Sequence, residues 1–189
     1  MTLRQTTDAL SPLDPVPEAP LGNSPAGRAA ETDGWFIVNV GDAAGMHTDR
    51  FGAASRFEVA AARFPEFGIN VRLLAPGQPN CLYHRENAQE AFLVLSGECV
   101  AIVEEQERRM GTGDFLYAPP GTAHVLVGAG EEPCAVLMVG TRKSPEELLY
   151  PVSPVAARYG ASVKEETSDE QAAYAGVEGN AGPLGRVPW

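Results

Sequence analysis

The sequence predicts a mainly β protein in which short antiparallel strands form a sandwich or barrel. The chain has 189 residues, including 20 Gly and 16 Pro, and so many turn formers favour short strands over long helices. Between residues 57 and 140, short apolar runs alternate with Gly and Pro at the spacing of an antiparallel barrel. With 44% apolar residues, the chain can bury one ordinary core.

The N-terminal part is expected to be an arm. Five of residues 1–30 are Pro and few are large and apolar, so this segment cannot offset the entropy cost of folding alone. If it is ordered, we expect it to lie across the barrel or a neighbouring subunit. Residues 35–40, rich in aromatic and β-branched side chains and bounded by glycines, are predicted as a strand, and residues 42–56 as a loop.

The apolar runs that follow are predicted strands. They cover residues 57–62, 69–75, 81–85, 91–95, 98–103, 114–118, 124–127 and 134–139. Three of them, within 92–95, 125–127 and 135–139, have apolar side chains on both faces of the predicted strand, so both faces should be covered. The cover is the N-terminal segment, a loop lid or a partner chain, and we expect a homodimer.

Helix signals appear only after Gly140. Ser144 followed by Pro145 and two acids is a helix start, and the capping box from Thr167 to Glu170 predicts a second helix that stops at Gly176. The predicted organisation is therefore an arm at 1–30, a barrel at 31–142 and short helices with a tail at 143–189.

Charge and composition exclude several functions. The formal net charge of −11 argues against nucleic-acid binding. No apolar run reaches the roughly 18 residues of a membrane span, and residues 1–8 lack the layout of a signal peptide, so we expect a cytoplasmic protein without membrane contact. The odd number of cysteines, Cys81, Cys99 and Cys134, indicates reduced core thiols.

Two of the three histidines stand in two spaced segments. The first has Gly77, His84, Glu90 and Gly97, and the second has Gly113, Pro119, Gly121 and His124. Together they resemble the two motifs of the cupin superfamily, over about residues 66–140. The second motif, G-x5-P-x-G-x2-H, is met in full. The first has one extra residue after Gly77 and Glu86 in place of its second histidine, and Gly128 stands where the family usually has Asn.

The resemblance implies a fold and a range of activities. The fold is a single-domain, double-stranded β-helix (jelly-roll) barrel of the cupin 2 type. Proteins of this kind include dioxygenases, isomerases and proteins that only bind small molecules, so the fold alone does not give the function.

The residues themselves predict a metal site. On a strand, His84 and Glu86 share a face, and Glu90 has the parity of the next apolar strand. If His124 meets them, two imidazoles and two carboxylates surround one point, a donor set for a divalent metal: zinc first, otherwise iron, manganese or nickel. Glu86 is then either a fourth ligand or a catalytic base beside the metal, and with both glutamates charged the site is neutral.

The alternative is that these residues have structural roles. His84 and Glu86 would then form a solvated edge, and His124 would be a hydrogen-bonded turn residue. Cys81 lies three residues before His84, so on a regular strand it would face away and be a core thiol. His47 is read as a loop residue.

Two functions remain open at this stage. One is a metal-dependent enzyme of oxygenase or isomerase type that acts on a small polar metabolite, with Glu86 moving a proton. The other is a non-catalytic binding module with a structural metal or a bound small molecule. A metal-free structural oligomer is the third reading.

Overall fold

The computed structural model describes residues 15–60, 62–177 and 179–184, and it confirms a mainly β protein. The strands are β1 (Leu21–Ser24), β2 (Gly27–Ala30), β3 (Gly45–Thr48), β4 (Gly52–Arg56), β5 (Phe67–Leu74), β6 (Arg85–Glu86), β7 (Glu90–Ser96), β8 (Glu98–Val103), β9 (Gln106–Gly111), β10 (Phe115–Ala118), β11 (His124–Ala129), β12 (Cys134–Thr141), β13 (Leu148–Leu149) and β14 (Ala181–Pro183). The helices among these residues are α1 (Pro154–Ala157) and α2 (Glu170–Ala173).

Two antiparallel sheets enclose the core. The larger has the strand order β10-β7-β12-β5-β4-β3-β14 and the smaller has β11-β8-β9. Alternate residues of β7 point inward, so that Phe92 and Val94 are buried, and they pack with Leu74 of β5 and Leu126 of β11. This alternation places Glu90, at the start of β7, on the inward side of the same strand.

The predicted apolar runs at 69–75, 91–95, 98–103, 114–118, 124–127 and 134–139 correspond to β5, β7, β8, β10, β11 and β12. In the run at 57–62, the described residues form only a bridge between Val59 and Ala62. The run at 81–85 is largely irregular, with a bridge from His84 to His124. The structure also contains β9, which lay in no predicted strand. Its sequence is polar and only Met110 is buried, but it pairs with β8 along its whole length.

Two predictions between residues 35 and 56 were wrong. Residues 36–39 form no strand, because Ile37 is 83% exposed and the segment is held mainly through the backbone pairing of Trp35 with residues 17 and 19. The predicted loop at 42–56 instead contains β3 and β4. Their Gly, Ala and Ser residues carry little strand signal, but pairing with β5 buries Ala54 and Ser55.

The described part of the N-terminal segment packs against residues of its own chain. Strands β1 and β2 form a hairpin, and Ala19 and Ala30 are buried against Ala62, with Phe36 packed beside them. The rest of the predicted arm, residues 1–14, lies outside the described residues.

The C-terminal segment packs against the barrel. The helix expected after Ser144 does not form, because the backbone of Glu147 is bonded to Asn87 and β13 pairs with β6. α1 begins instead after Ser153, whose hydroxyl caps it. The second predicted helix is present as α2, capped by Asp169 rather than Thr167. In the described ranges, neither four-residue helix is long enough to span a membrane.

Candidate metal centre

Two strand segments bring His84 and His124 together through their backbones. The His124 amide donates to the His84 carbonyl at 2.8 Å, and the His84 amide donates to the His124 carbonyl at 3.2 Å. The two imidazole ring centres are 5.2 Å apart. Antiparallel pairing of this kind sets side chains directly opposite one another, so the distance between the rings is fixed by the backbone.

Each imidazole is oriented by a second backbone contact. His84 Nδ1 lies 2.8 Å from the carbonyl of Leu82, and His124 Nδ1 lies 3.0 Å from the carbonyl of Thr122. A carbonyl oxygen can only accept, so Nδ1 carries a proton in both rings, and in the neutral form of each ring Nε2 presents a lone pair. This is the arrangement by which proteins hold a metal-binding histidine in one tautomer.

Glu90 completes a cluster of three potential ligands. His84, Glu90 and His124 each offer one ligand atom, and these atoms lie within 4.8 Å of one another. The side chain of His124 is only 2% exposed and that of Glu90 is 18% exposed. The predicted site residues His84, Glu90 and His124 therefore meet inside the barrel rather than at a solvated edge.

The contact between Glu90 and His124 fits a divalent cation. Glu90 Oε2 lies 3.0 Å from His124 Nε2, but both atoms are buried and lack a partner with hydrogen-bond geometry. With the proton on Nδ1, this contact brings an imidazole lone pair against a carboxylate. Such a pair is satisfied by a cation that both atoms ligate, or by protonation of the imidazole. The donor set of two histidines and one carboxylate is that of an open metal site.

The two glutamates differ in electrostatic environment. Burial acts to raise the pKa of the Glu90 carboxyl, but when the imidazoles are protonated, the hydrogen bond and charge of His124 and the charge of His84 outweigh it and hold that pKa below its usual range. Burial, followed by the negative charge of Glu90, raises the pKa of Glu86 to about 7. Glu86 lines the same cavity but is not one of the three clustered ligands.

The site opens into a cavity of about 310 Å³. Sequence reasoning missed several of its wall residues, notably Asn70 and Arg72 of β5 and Cys81. Asn70 and Arg72 lie on the same face of β5 as the buried Leu74, which points inward. Polar residues on the inward face of an otherwise apolar strand were the signal that could have located them.

The placement of Cys81 corrects an expectation. Its Sγ lies 3.6 Å from His84 Nδ1, so it borders the site instead of facing away. The prediction that Cys81 faces away from His84 was wrong because residues 81–84 do not form a regular strand. Burial raises the pKa of the Cys81 thiol to about 12, so the thiol is neutral at pH 7. Cys99 and Cys134 are fully buried free thiols, as predicted.

His47 lies on β3 and not in a loop. It is exposed, and it is not part of the cavity wall.

Aromatic residues support the histidine pair. Phe92 meets the His124 ring edge-on at 5.1 Å, and Tyr150 packs against His84 at 5.9 Å. Tyr174, directly after α2, contacts Tyr150 and accepts a hydrogen bond from the Leu82 amide. The C-terminal segment thus contributes the wall behind His84.

The backbone geometry explains the glycines at positions 121 and 128, on either side of His124. Gly121, at φ 84°, forms the turn before His124, and its amide donates to the Glu86 carbonyl at 2.7 Å. Gly128 lies against the backbone of residues 74–75, and a Cβ there would be 2.2 Å from the Ala75 oxygen. The Asn usual in the family therefore has no room at this position.

Comparison with known protein families identifies the domain that carries these residues. The sequence profile of the Cupin domain family matches residues 70–140, a range that contains all three clustered ligands. This segment is a cupin domain. The resemblance of the two motifs is thereby confirmed, and the double-stranded β-helix of this cupin domain is the predicted fold.

Several solved structures resemble parts of the chain. A sugar phosphate isomerase of the cupin superfamily from Silicibacter pomeroyi is 30% identical over 51% of this chain and 62% of its own length, with a TM-score of 0.46. The match thus spans less than two thirds of that protein. The polyketide cyclase RemF from Streptomyces resistomycificus is 16% identical over 58% of this chain and 80% of its own, with a TM-score of 0.50.

A third similar structure is an RmlC-like cupin with a double-stranded β-helix fold from Methanocaldococcus jannaschii. It is 17% identical over 42% of this chain and 73% of its own, with a TM-score of 0.39. No curated protein sequence matches the chain.

Proposed function

We propose that the cupin domain binds one divalent metal ion through His84, Glu90 and His124, and that the protein is a metal-dependent enzyme acting on a small polar metabolite. The observation that carries the proposal is the buried, unpartnered pair of Glu90 Oε2 and His124 Nε2, which a shared cation would satisfy. Zinc is the first choice, with iron, manganese and nickel as alternatives, because this N/O donor set suits all of them.

The number of ligands supports an enzyme over a structural metal site. Three protein ligands leave coordination positions open to a substrate, whereas structural zinc has four protein ligands. A divalent metal bound here would supply Lewis-acid or oxygen-activating chemistry to a molecule in the 310 Å³ cavity.

Glu86 is the proposed proton-transfer residue. It lines the cavity beside Glu90, and as a half-buried carboxyl without a place in the ligand cluster it is available to a bound substrate. Isomerase-type chemistry requires a group that moves a proton at the substrate, and Glu86 would fill that role.

The second candidate is a non-catalytic binding module. The observation in its favour is that Glu86 is close enough to Glu90 for the two carboxyls to interact, so a small shift would add Glu86 to the ligands and close the site. A four-ligand tetrahedral metal would then stabilise the barrel without catalysis.

Metal analysis of variants tests the proposal. We expect the purified protein to hold one metal per chain, and His84→Ala and His124→Ala to lose it. His47→Ala is the matched control, since His47 is exposed on β3 and should keep the metal content unchanged. Retention of full metal content by both site variants would remove the proposal.

Glu86→Gln separates the two candidate functions. Loss of metal would make Glu86 a ligand and favour the closed site. Retention of metal with loss of turnover of a metabolite found by thermal-shift screening would make it the proton-transfer group.

We also propose a cytoplasmic homodimer. The three free cysteines suit a reducing compartment. Leu95, Phe115 and Tyr117 are exposed on the neighbouring strands β7 and β10, which is an unusual concentration of large apolar side chains. Sedimentation of the wild type and of Phe115→Asp would test the dimer, which the variant should weaken.

A further inference from the structure

Arg72 is a cation inside the barrel without an anionic partner. It belongs to β5, whose neighbouring inward residue Leu74 is fully buried. One guanidinium nitrogen donates to the Phe51 carbonyl at 3.3 Å, while the Nε atom is buried and has no hydrogen-bond partner. Arg72 forms no ion pair with any of the described residues.

The surroundings of Arg72 increase its need for a counter-charge. Burial lowers the pKa of Arg72, and the positive charge of Arg56 lowers it further by repulsion. A buried charge that lacks both an opposite charge and a full set of hydrogen bonds is costly, so proteins seldom retain one without a ligand to bind. Arg142, which lines the same cavity, differs because Glu58 neutralises it.

Asn70 provides a second unsatisfied group on the same face. It lies two residues before Arg72 on β5, and its Oδ1 is buried without a hydrogen-bond partner. Both residues line the cavity that contains His84, Glu90 and His124. The part of the cavity wall formed by β5 therefore presents two groups without partners, a positively charged donor and a neutral acceptor.

We propose that Arg72 and Asn70 form the recognition site for a small metabolite that carries an oxyanion, a carboxylate or a phosphate, next to a hydroxyl or amino group. The oxyanion would accept from the Nε–H edge of Arg72, which is the geometry of strong, charge-assisted pairing. The adjacent hydroxyl or amine would donate to Asn70 Oδ1. This inference rests on the proposed function, because it names the class of substrate that the same cavity takes.

The site is small and its charge is balanced by such a ligand. A cavity of about 310 Å³ is at the lower end of the range for small-molecule sites. The overall charge of −11 would repel anions at long range, so a buried arginine is needed to attract one locally.

The test uses metal-free protein, because a bound metal would itself attract oxyanions. Chelator-treated protein is titrated with glycolate, with inorganic phosphate and with the neutral analogue glycolamide, and binding is followed by amide resonances. We expect an oxyanion to bind roughly tenfold or more tightly than glycolamide, in line with a charge-assisted contact. The tighter of glycolate and phosphate identifies the carboxylate or the phosphate class.

Arg72→Met should weaken oxyanion binding by roughly tenfold or more, with zinc stoichiometry unchanged. Arg109→Met is the matched control, since Arg109 is exposed on β9, and it should bind as the wild type does. Unchanged oxyanion binding by Arg72→Met overturns the inference. If that variant does not fold, the wild-type comparison decides: equal binding of glycolate and glycolamide, or no binding of either oxyanion, overturns it.

The two proposals fail separately. A wild type that binds no zinc but binds an oxyanion through Arg72 would end the metal proposal alone. A wild type that binds zinc normally but shows no dependence on Arg72 would end the recognition site alone.

Discussion

Glu90→Gln distinguishes a metal centre from a structural ion pair by the sign of its effect. In the metal-free protein, the substitution removes a carboxylate whose Oε2 faces the His124 lone pair at 3.0 Å, and replaces it with a group that can donate an N–H in the same volume. An unsatisfied buried polar group costs about 1–3 kcal/mol, so at a pH where the His124 imidazole is neutral we expect the metal-free variant to be more stable than the metal-free wild type by that amount.

The same substitution should abolish the response to metal. Zinc at 100 times its dissociation constant stabilises a protein by about 2.7 kcal/mol. For a chain of this size, each kcal/mol raises the melting temperature by about 2–4 °C. The wild type should therefore gain roughly 5–11 °C when zinc is restored. Glu90→Gln should start higher and gain little.

The assay is thermal unfolding of chelated and zinc-restored protein, with Glu98→Gln as the control. Glu98 carries the same charge on the exposed face of β8, where it pairs with Arg109, and its substitution should change stability by less than about 1 kcal/mol in both states. If Glu90→Gln instead destabilises the metal-free protein and zinc leaves the wild type unchanged, then His124 is protonated and the pair is a structural salt bridge.

Three further predictions follow from the packing and the charges around the site. Glu86, whose pKa is raised to about 7, favours folding when protonated, so its contribution is present below about pH 4.5 and is lost as the pH rises through 7. Metal-free Glu86→Gln should therefore be more stable than the metal-free wild type at pH 8 and equally stable at pH 4. The difference at pH 8 should be only about 1 kcal/mol, because water screens this half-buried group. Urea unfolding at the two pH values measures the difference, and the same difference at both pH values would contradict the prediction. Phe92→Ala should cost about 3–5 kcal/mol in urea unfolding and also weaken zinc binding, because Phe92 packs against the His124 ring; full zinc affinity in the folded variant would show that the ring needs no such support. Gly128→Ala should cost about 1–3 kcal/mol because its Cβ meets the Ala75 carbonyl, and a melting temperature equal to that of the wild type would mean that the strand shifts freely.

Much of the barrel could be predicted because its inward residues are apolar and alternate. β7 and β12 carry long apolar runs, and the fixed motif spacing of Gly121 and His124 reflects a turn with positive φ before a strand. The conjunction of His84, Glu90 and His124 was predicted from the resemblance of the two motifs, and strand parity added that Glu90 lies on the side of Phe92.

The remaining elements depend on tertiary contacts that leave little trace in the local sequence. β9 is polar and forms by pairing with β8, and β4 is made of small residues that only its neighbour β5 defines. Cys81 and Arg72 were missed for different reasons. The chain is irregular at 81–84, so parity does not apply to Cys81, and the inward register of β5 could not be assigned before its partners were known.

The pairing of His84 with His124 has a consequence for how this protein can change over time. Main-chain atoms hold the two histidines opposite one another and set the tautomer of each ring. Substitutions at Glu86 or on the cavity face of β5 can thus alter what is bound, or how strongly, without changing the backbone pairing that holds the two rings. Chemical diversification would proceed through Glu86 and β5, while the pairing is inherited intact.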